Sequence, residues 1–261
     1  MPVAVITGAA QGIGRKTAAV LAERGYSLAL VDLHGSPATA EAVRRLGTPE
    51  VPLDLAGDVA DAQTAAQAAA AVAGRWGRAD VLVNNAGISF IQRAEDLDPA
   101  RARRVIEVNL LGPMFFSQAF GRMMLEAASG SIINIASVAG LQGIADRSVY
   151  NATKHGLIGY TRTLAAEWGG RGVRVNAVCP GWVKTEMDDS AQASGLYSDT
   201  DITGRVPMGR FALPEDVARA VAFLADPAES GFINGIALAV DGGWTSDGSW
   251  QSLRLAHRAR E

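Results

Sequence analysis

A tyrosine and a lysine stand four residues apart in the stretch "SVYNATKHG", residues 148–156. Residues i and i+4 of a helix share a face, so the Tyr150 phenol and the Lys154 ammonium can lie side by side. A free tyrosine has a pKa of about 10 and is a poor base at neutral pH, whereas a neighbouring positive charge favours the phenolate. Only three of the 24 basic residues are lysines. The spacing suits either an ordinary exposed pair or an acid–base group.

A serine lies just upstream of this pair. Ser137 follows the apolar run 131–136 and precedes the segment that carries Tyr150. Its hydroxyl is placed either to cap a turn or to polarise a carbonyl oxygen beside the tyrosine.

The first apolar run leads into "TGAAQGIG", where Gly8, Gly12 and Gly14 open a predicted helix. Glycines permit a tight turn, and a helix N-terminus offers free N–H groups to a pyrophosphate. Asp32 ends the next predicted strand, where a carboxylate can accept hydrogen bonds from a ribose diol and repel a 2′-phosphate. No lysine or arginine follows in "LHGSPAT", and His34 is a weakly contrary residue. The pattern favours NAD(H) over NADP(H).

Two further polar positions follow strands. Asp58 comes after the third predicted strand, where it could contact adenine or cap the next helix. "NNAG" at 84–87 ends the fourth, and its turn-forming residues suit a cleft floor that offers backbone amides to a ligand.

Seven short apolar runs alternate with six helical patterns. Nearly continuous apolar strands indicate a parallel sheet covered on both faces, and the alternation predicts an α/β, Rossmann-like, doubly wound fold in one domain. The predicted strands are 3–7, 27–32, 51–55, 80–84, 131–136, 173–178 and 236–240, and the predicted helices are 12–24, 36–46, 60–75, 99–127, 149–168 and 214–225.

Composition narrows the class of protein. The net charge of −3 gives no reason to expect nucleic acid as a partner, and no apolar run approaches the ~18 residues of a membrane span. The single cysteine, Cys179, fits a reducing compartment, no secretory leader is recognisable, and three scattered histidines give no metal-ligand spacing. We expect a cytoplasmic protein without a metal.

Two segments depart from the alternation. Residues 181–208 are long for a connection in a compact domain and suggest a lid or binding segment. The tail 244–261 could pack on a neighbouring subunit or remain mobile, and the apolar residues Trp250, Leu253 and Leu255 favour packing.

Together these motifs resemble those of the short-chain dehydrogenase/reductase family, from about residue 2 to Gly243. The matching features are "TGAAQGIG", "NNAG", Ser137 with "YNATK" thirteen residues later, and Pro180–Gly181. The resemblance implies a seven-stranded sheet and a homotetramer. It also implies that Tyr150 is the acid/base, that Ser137 orients the substrate oxygen, and that Lys154 binds the nicotinamide ribose and lowers the tyrosine pKa. Asn109, in "VIEVNLLG", matches an asparagine that positions a water in a proton relay.

The expected cofactor site combines these motifs with Val183 and Thr185, which by resemblance bind the carboxamide. Its residues are Gly8, Gln11, Gly12, Ile13, Gly14, Asp32, Asp58, Val59, Asn85, Ala86, Gly87, Tyr150, Lys154, Pro180, Gly181, Val183 and Thr185. Cys179 is interpreted as a small buried residue, and His155 as facing away from the site.

The sequence thus predicts an NAD(H)-dependent oxidoreductase that interconverts a secondary alcohol and a ketone. The segments 88–96 and 138–148 are further candidates for the pocket, and their mixed polarity favours a polyol or sugar over a steroid-like substrate. Two alternatives remain: a 3-oxoacyl-(acyl-carrier-protein) reductase, against which Asp32 argues, and a non-catalytic NAD-binding scaffold.

Overall fold

The computed structural model describes residues 1–46, 50–185 and 198–254. Seven parallel strands form one sheet in the order β3-β2-β1-β4-β5-β6-β7. They are β1 (Val3–Thr7), β2 (Ser27–Asp32), β3 (Leu53–Ala56), β4 (Val81–Asn84), β5 (Gly130–Ile135), β6 (Val173–Pro180) and β7 (Ala237–Val240). Each predicted strand is present, with ends that differ by at most a few residues. The predicted Rossmann-like fold class is confirmed.

Helices cover both faces of this sheet. They are α1 (Gly12–Glu23), α2 (Pro37–Arg45), α3 (Ala62–Trp76), α4 (Pro99–Ile106), α5 (Gly112–Glu126), α6 (Ser148–Trp168), α7 (Asp199–Thr203), α8 (Pro214–Ala225) and α9 (Pro227–Ser230). One apolar layer joins α1 and α8 to the sheet through residues such as Leu21 and Val221. The opposite layer joins α3, α5 and α6 through residues such as Val72, Phe116 and Leu164. Every residue of β1 is buried, as a central strand between two layers requires.

The predicted helical pattern 99–127 is present, but it is not one regular α-helix. A π-helical turn, Glu107–Leu111, separates α4 from α5. Such a turn inserts extra backbone into a helix and often lies at functional sites. Here it contains Asn109, which is fully buried.

The two irregular segments are described in part. In the 181–208 segment, residues 186–197 lie outside the described residues, and α7 follows them. In the tail, residues 244–254 are described and include short 3-10 turns at Trp244–Ser246 and Gln251–Leu253. The described tail packs on its own chain, because Arg205 and Arg254 both approach the Asp247 carboxylate, at 3.1 and 3.5 Å.

The sheet grows in opposite directions from its centre: β2 and β3 follow β1 on one side, and β5, β6 and β7 follow β4 on the other. The order of the strands therefore switches between β1 and β4. In open parallel sheets, ligands bind beyond the carboxyl ends of the strands at such a switch point. The residues that follow β1, β4, β5 and β6 surround this point.

Candidate active site

The glycine turn after β1 requires its glycines for two different reasons. Gly8 and Gly12 have φ values of 65° and 51°, in the left-handed region that other residues avoid. At Gly14, a Cβ atom would lie 2.0 Å from the Gly8 carbonyl oxygen, so only glycine lets α1 begin this close to the turn. The turn therefore leaves its backbone open to a ligand at the start of α1.

The "NNAG" segment supports this turn from behind. The Asn85 side-chain amide donates to the carbonyls of Thr7 and Gly8, at 3.0 and 2.9 Å. The backbone N–H groups of Asn85 and Ala86 donate to the Thr7 hydroxyl. These two amides were expected to face a ligand. They are instead engaged within the protein, so the segment holds the glycine turn in place.

The two predicted acidic residues differ in their surroundings. One carboxylate oxygen of Asp32 accepts a hydrogen bond from the Ala10 N–H, at 2.9 Å, and the side chain also lines the cleft. Asp58 accepts from Ala60 N–H and forms an ion pair with Arg104, at 2.7 Å. Asp58 is not the N-cap of α3, because Asp61 has that position and accepts from Gln63 N–H. The capping alternative for Asp58 is therefore wrong.

The Asn109 side chain, in the π-helical turn, is hydrogen-bonded to the backbone of Ile88, which directly follows the "NNAG" segment. Its side-chain oxygen accepts from Ile88 N–H, at 2.8 Å, and its side-chain nitrogen donates to the Ile88 carbonyl, at 2.9 Å. Both the Asn109 oxygen and the Lys154 ammonium lie within 4 Å of the position that a Cβ on Gly87 would occupy. The two polar groups thus come together beside Gly87, at the wall of the cleft.

Lys154 is almost completely buried. Its ammonium donates to the Ile135 carbonyl at the end of β5, at 2.8 Å, and lies 5.6 Å from the centre of the Tyr150 ring. The i,i+4 spacing therefore brings the two groups together on α6. Burial disfavours the ammonium and lowers the pKa of Lys154 to about 8.

The expected depression of the tyrosine pKa is not found in the protein itself. Burial raises the pKa of Tyr150 above its ordinary value, since the phenolate is desolvated; a hydrogen bond with Ser137 and the positive charge of Arg147 act in the opposite direction. Ser137 precedes a 3-10 turn and also accepts from Ala139 N–H, at 3.1 Å. Ser137 and Arg147 thus counter the effect of burial on the phenol.

One cleft of about 460 Å³ joins the glycine turn to the Tyr150 end. Of the predicted site residues, only Gly14 and Asn109 lie outside its lining, and both act from behind it as described above. The lining also contains Arg147, a polar residue of the segment 138–148 that was expected to form the pocket, and residues that were not singled out from the sequence: Leu33, Gly57, Ile88, Ser89, Arg104, Val108, Ile135, Ala136, Val138, Ala139, Ile144 and Trp182. Several of these lie in the segments 88–96 and 138–148 that were expected to form the pocket.

The tail reaches one wall of this cleft. Trp182 lines the cleft and packs on Trp244, with ring centres 4.2 Å apart. Gln142 donates to the Thr245 carbonyl, at 3.1 Å, and Arg205 lies over the Trp244 ring. No short-range sequence signal links positions 182 and 244, so this contact was missed.

Two other side chains near the site have the expected placement. Cys179 is fully buried in an apolar cluster with Leu157 and Ile158, and burial raises the pKa of its thiol to about 11. His155 lies on the exposed side of α6 and contacts the Asn151 carbonyl. Within the described ranges, no group of three or more metal-ligating side chains occurs, and no helix is both long and apolar enough to cross a bilayer.

Comparison with known proteins identifies the family. A family model described as "Enoyl-(Acyl carrier protein) reductase" matches residues 8–245. The D-threitol dehydrogenase of Mycolicibacterium smegmatis is 42% identical over 243 residues, which cover 93% of this chain and 92% of the relative. The chain belongs to the short-chain dehydrogenase/reductase family. As a member, it is an oxidoreductase that uses a nicotinamide dinucleotide.

Other relatives of this short-chain dehydrogenase/reductase are similarly close. The cis-4-hydroxycyclohexanecarboxylate dehydrogenase of Sinomonas cyclohexanicum is 42% identical over 248 residues, covering 94% of this chain and 96% of the relative. A solved structure assigned as an NAD(P)-dependent gluconate 5-dehydrogenase, from Beutenbergia cavernae, carries NADP at low occupancy. It is 40% identical, has a TM-score of 0.85, and covers 94% of this chain and 97% of its own. The similarity leaves open which of the two dinucleotides this chain prefers.

Proposed function

We propose that this enzyme is an NAD(H)-dependent dehydrogenase that interconverts a polar secondary alcohol and its ketone. The observation that carries the proposal is a single cleft with the glycine turn and Asp32 at one end and with Ser137, Tyr150 and Lys154 at the other. The bound nicotinamide ring would accept or donate the hydride, and the residues of the chain would position the alcohol and move its proton.

Tyr150 is the proposed acid/base. In the oxidation direction its phenolate removes the hydroxyl proton while Ser137, which lines the same cleft, holds the same oxygen. Lys154 would bind ribose hydroxyls, for which its compact ammonium with three donors is suited. Asn109, close to Lys154 at Gly87, would position a water that returns the proton to solvent.

Asp32 supports the choice of NAD(H). Its carboxylate lines the adenosine end of the cleft, where a ribose diol can donate to it and a 2′-phosphate would be repelled. The arginine that lines this end, Arg104, is already paired with Asp58. Comparing kcat/KM for NADH and NADPH tests the preference, and a higher value for NADPH would overturn it.

The reaction is tested with Tyr150→Phe. A panel of secondary alcohols is incubated with NAD and the appearance of NADH is followed at 340 nm. The variant should lose turnover because the ring remains but the proton acceptor is gone, while NADH still binds, as measured by its fluorescence. Turnover retained by the variant with any good substrate would refute the assignment of Tyr150.

The 3-oxoacyl-(acyl-carrier-protein) reductase alternative has weaker support, because the most similar relatives named above act on small alcohols and because Asp32 disfavours NADPH. A homotetramer in the cytoplasm is our further proposal, based on the family resemblance and on the single cysteine. Light scattering after gel filtration would test the tetramer, and fractionation of cells would test the location.

A further inference from the structure

An arginine lies at the reactive end of the cleft. Arg147 lines the cleft and immediately precedes α6, one turn before Tyr150. The side chain is half-buried, and one guanidinium nitrogen donates to the Ser89 hydroxyl, at 3.3 Å. The positive charge is therefore held inside the wall that would face the substrate.

Among the residues that the structure describes, this charge has no counterion. Across residues 1–46, 50–185 and 198–254, no carboxylate forms an ion pair with Arg147. Arg104, which lines the other end of the same cleft, pairs with Asp58 at 2.7 Å. Apart from Lys154, which is directed to the Ile135 carbonyl, the described lining near Tyr150 consists of neutral residues such as Ile144 and Trp182. Beside such neutral walls, the free-energy cost of partly burying the Arg147 charge is poorly compensated by the protein.

We propose that Arg147 binds an anionic group of the substrate, a carboxylate or its equivalent, so that the natural substrate is a hydroxy acid and not a neutral polyol. A planar guanidinium matches a carboxylate through two parallel hydrogen bonds, and one donor on Ser89 leaves others free. This inference rests on the proposed alcohol–ketone chemistry, since it names the class of alcohol for that same site.

Arg147 also acts on Tyr150. Its positive charge counters the rise in the phenol pKa that burial causes. Removing the charge therefore slows the oxidation of every alcohol by a common factor. Loss of anion binding should lower kcat/KM further for the hydroxy acid alone. The ratio of kcat/KM for the acid to kcat/KM for its neutral partner therefore isolates this second effect.

The experiment compares matched pairs of compounds with NAD: gluconate with sorbitol, and 4-hydroxycyclohexanecarboxylate with its carboxamide. For each pair, kcat/KM is measured in the unsubstituted enzyme, Arg147→Gln, Arg147→Lys and Arg93→Gln. Arg93 is exposed and does not line the cleft, so its replacement is a control for the loss of one positive charge. The same compounds are titrated into the NADH complex to obtain dissociation constants.

We expect the unsubstituted enzyme to prefer the acid in at least one pair. Arg147→Gln should lower the acid-to-neutral ratio by roughly 10- to 100-fold, the effect of a lost charge-assisted hydrogen bond. Arg147→Lys should retain part of the ratio, and Arg93→Gln should leave it unchanged. Preference for the neutral compound in both pairs, or an equal loss for both members in Arg147→Gln, would overturn the proposal.

Failure of the alcohol–ketone assignment has a different signature. In that case no compound yields NADH or NADPH, and the titrations decide the anion site by themselves: the acid must bind more tightly than its neutral partner, and Arg147→Gln must remove the difference.

Discussion

Lys154 should reduce the stability of the fold at neutral pH. The residue is 4% exposed, and burial lowers the pKa of its ammonium to about 8 from an ordinary 10.5. Below pH 8 the folded protein must keep a desolvated positive charge, so Lys154→Met should raise the free energy of unfolding there. The gain is opposed by loss of the hydrogen bond to the Ile135 carbonyl.

The size of the effect follows from the two pKa values. One pKa unit corresponds to about 1.4 kcal/mol, so the charged form is disfavoured in the folded state by about 3 kcal/mol. Leaving the Ile135 carbonyl unsatisfied costs about 1–3 kcal/mol. At pH 7 the variant should therefore be between about 0 and 2 kcal/mol more stable than the unsubstituted protein.

The dependence on pH is the more specific prediction. From pH 8 to pH 10.5 the unfolded chain binds more protons at Lys154 than the folded chain, so the stability of the unsubstituted protein rises with pH through this side chain. The variant lacks this contribution. The difference in unfolding free energy, variant minus unsubstituted, should fall by about 2 kcal/mol between pH 7 and pH 9.5.

Urea titrations followed by tryptophan fluorescence, at fixed protein concentration and without cofactor, measure this difference. Lys16→Met is the matched control, because Lys16 is an exposed partner of Glu215, at 3.3 Å. It shows how the loss of an exposed ammonium affects the free energy of unfolding over the same range. A Lys154→Met difference that does not change between pH 7 and pH 9.5 would show that burial does not lower the pKa of Lys154 and would refute the reasoning.

Three further substitutions test other parts of the site. Gly14→Ala should weaken NADH binding at least tenfold in fluorescence titrations, because its Cβ would lie 2.0 Å from the Gly8 carbonyl oxygen; unchanged affinity would contradict the close approach. Asn109→Ala should lower the free energy of unfolding by about 2–4 kcal/mol, since two hydrogen bonds to Ile88 are lost in a buried place, and an effect under about 1 kcal/mol in urea titrations would argue against them. Ser137→Ala should shift the alkaline rise of kcat/KM for alcohol oxidation to higher pH, because Ser137 lowers the Tyr150 pKa; a pH profile that moves down or not at all would contradict this.

The cofactor end could be predicted in outline from the sequence. The glycines at 8, 12 and 14 permit a tight turn and a close approach of the backbone, so a strand-to-helix turn was expected, and it is present. The function of the "NNAG" amides could not be predicted in the same way. They bond to Thr7, which is more than 75 residues away along the chain, and only the pairing of β1 with β4 brings the two together.

The reactive end shows the same limit. The four-residue spacing places Tyr150 and Lys154 on one helix face, as expected. The direction in which the Tyr150 pKa shifts depends instead on burial and on the charge of Arg147. Burial in turn depends on how deeply α6 packs. The π-helical turn contains Asn109, which bonds to Ile88 beyond the end of β4, and a helical pattern in sequence does not reveal this turn.

The sequence by itself predicted the order of strands and helices along the chain, the glycine turn, and the shared helix face of Tyr150 and Lys154, because backbone preferences and helical spacing act over a few residues. Only the tertiary structure decided that Asp58 pairs with Arg104 and that Trp182 packs on Trp244. It also decided that Arg147 faces the cleft without a counterion among the described residues. These contacts join segments far apart in the chain, and their energies depend on burial, which exists only once the layers have packed.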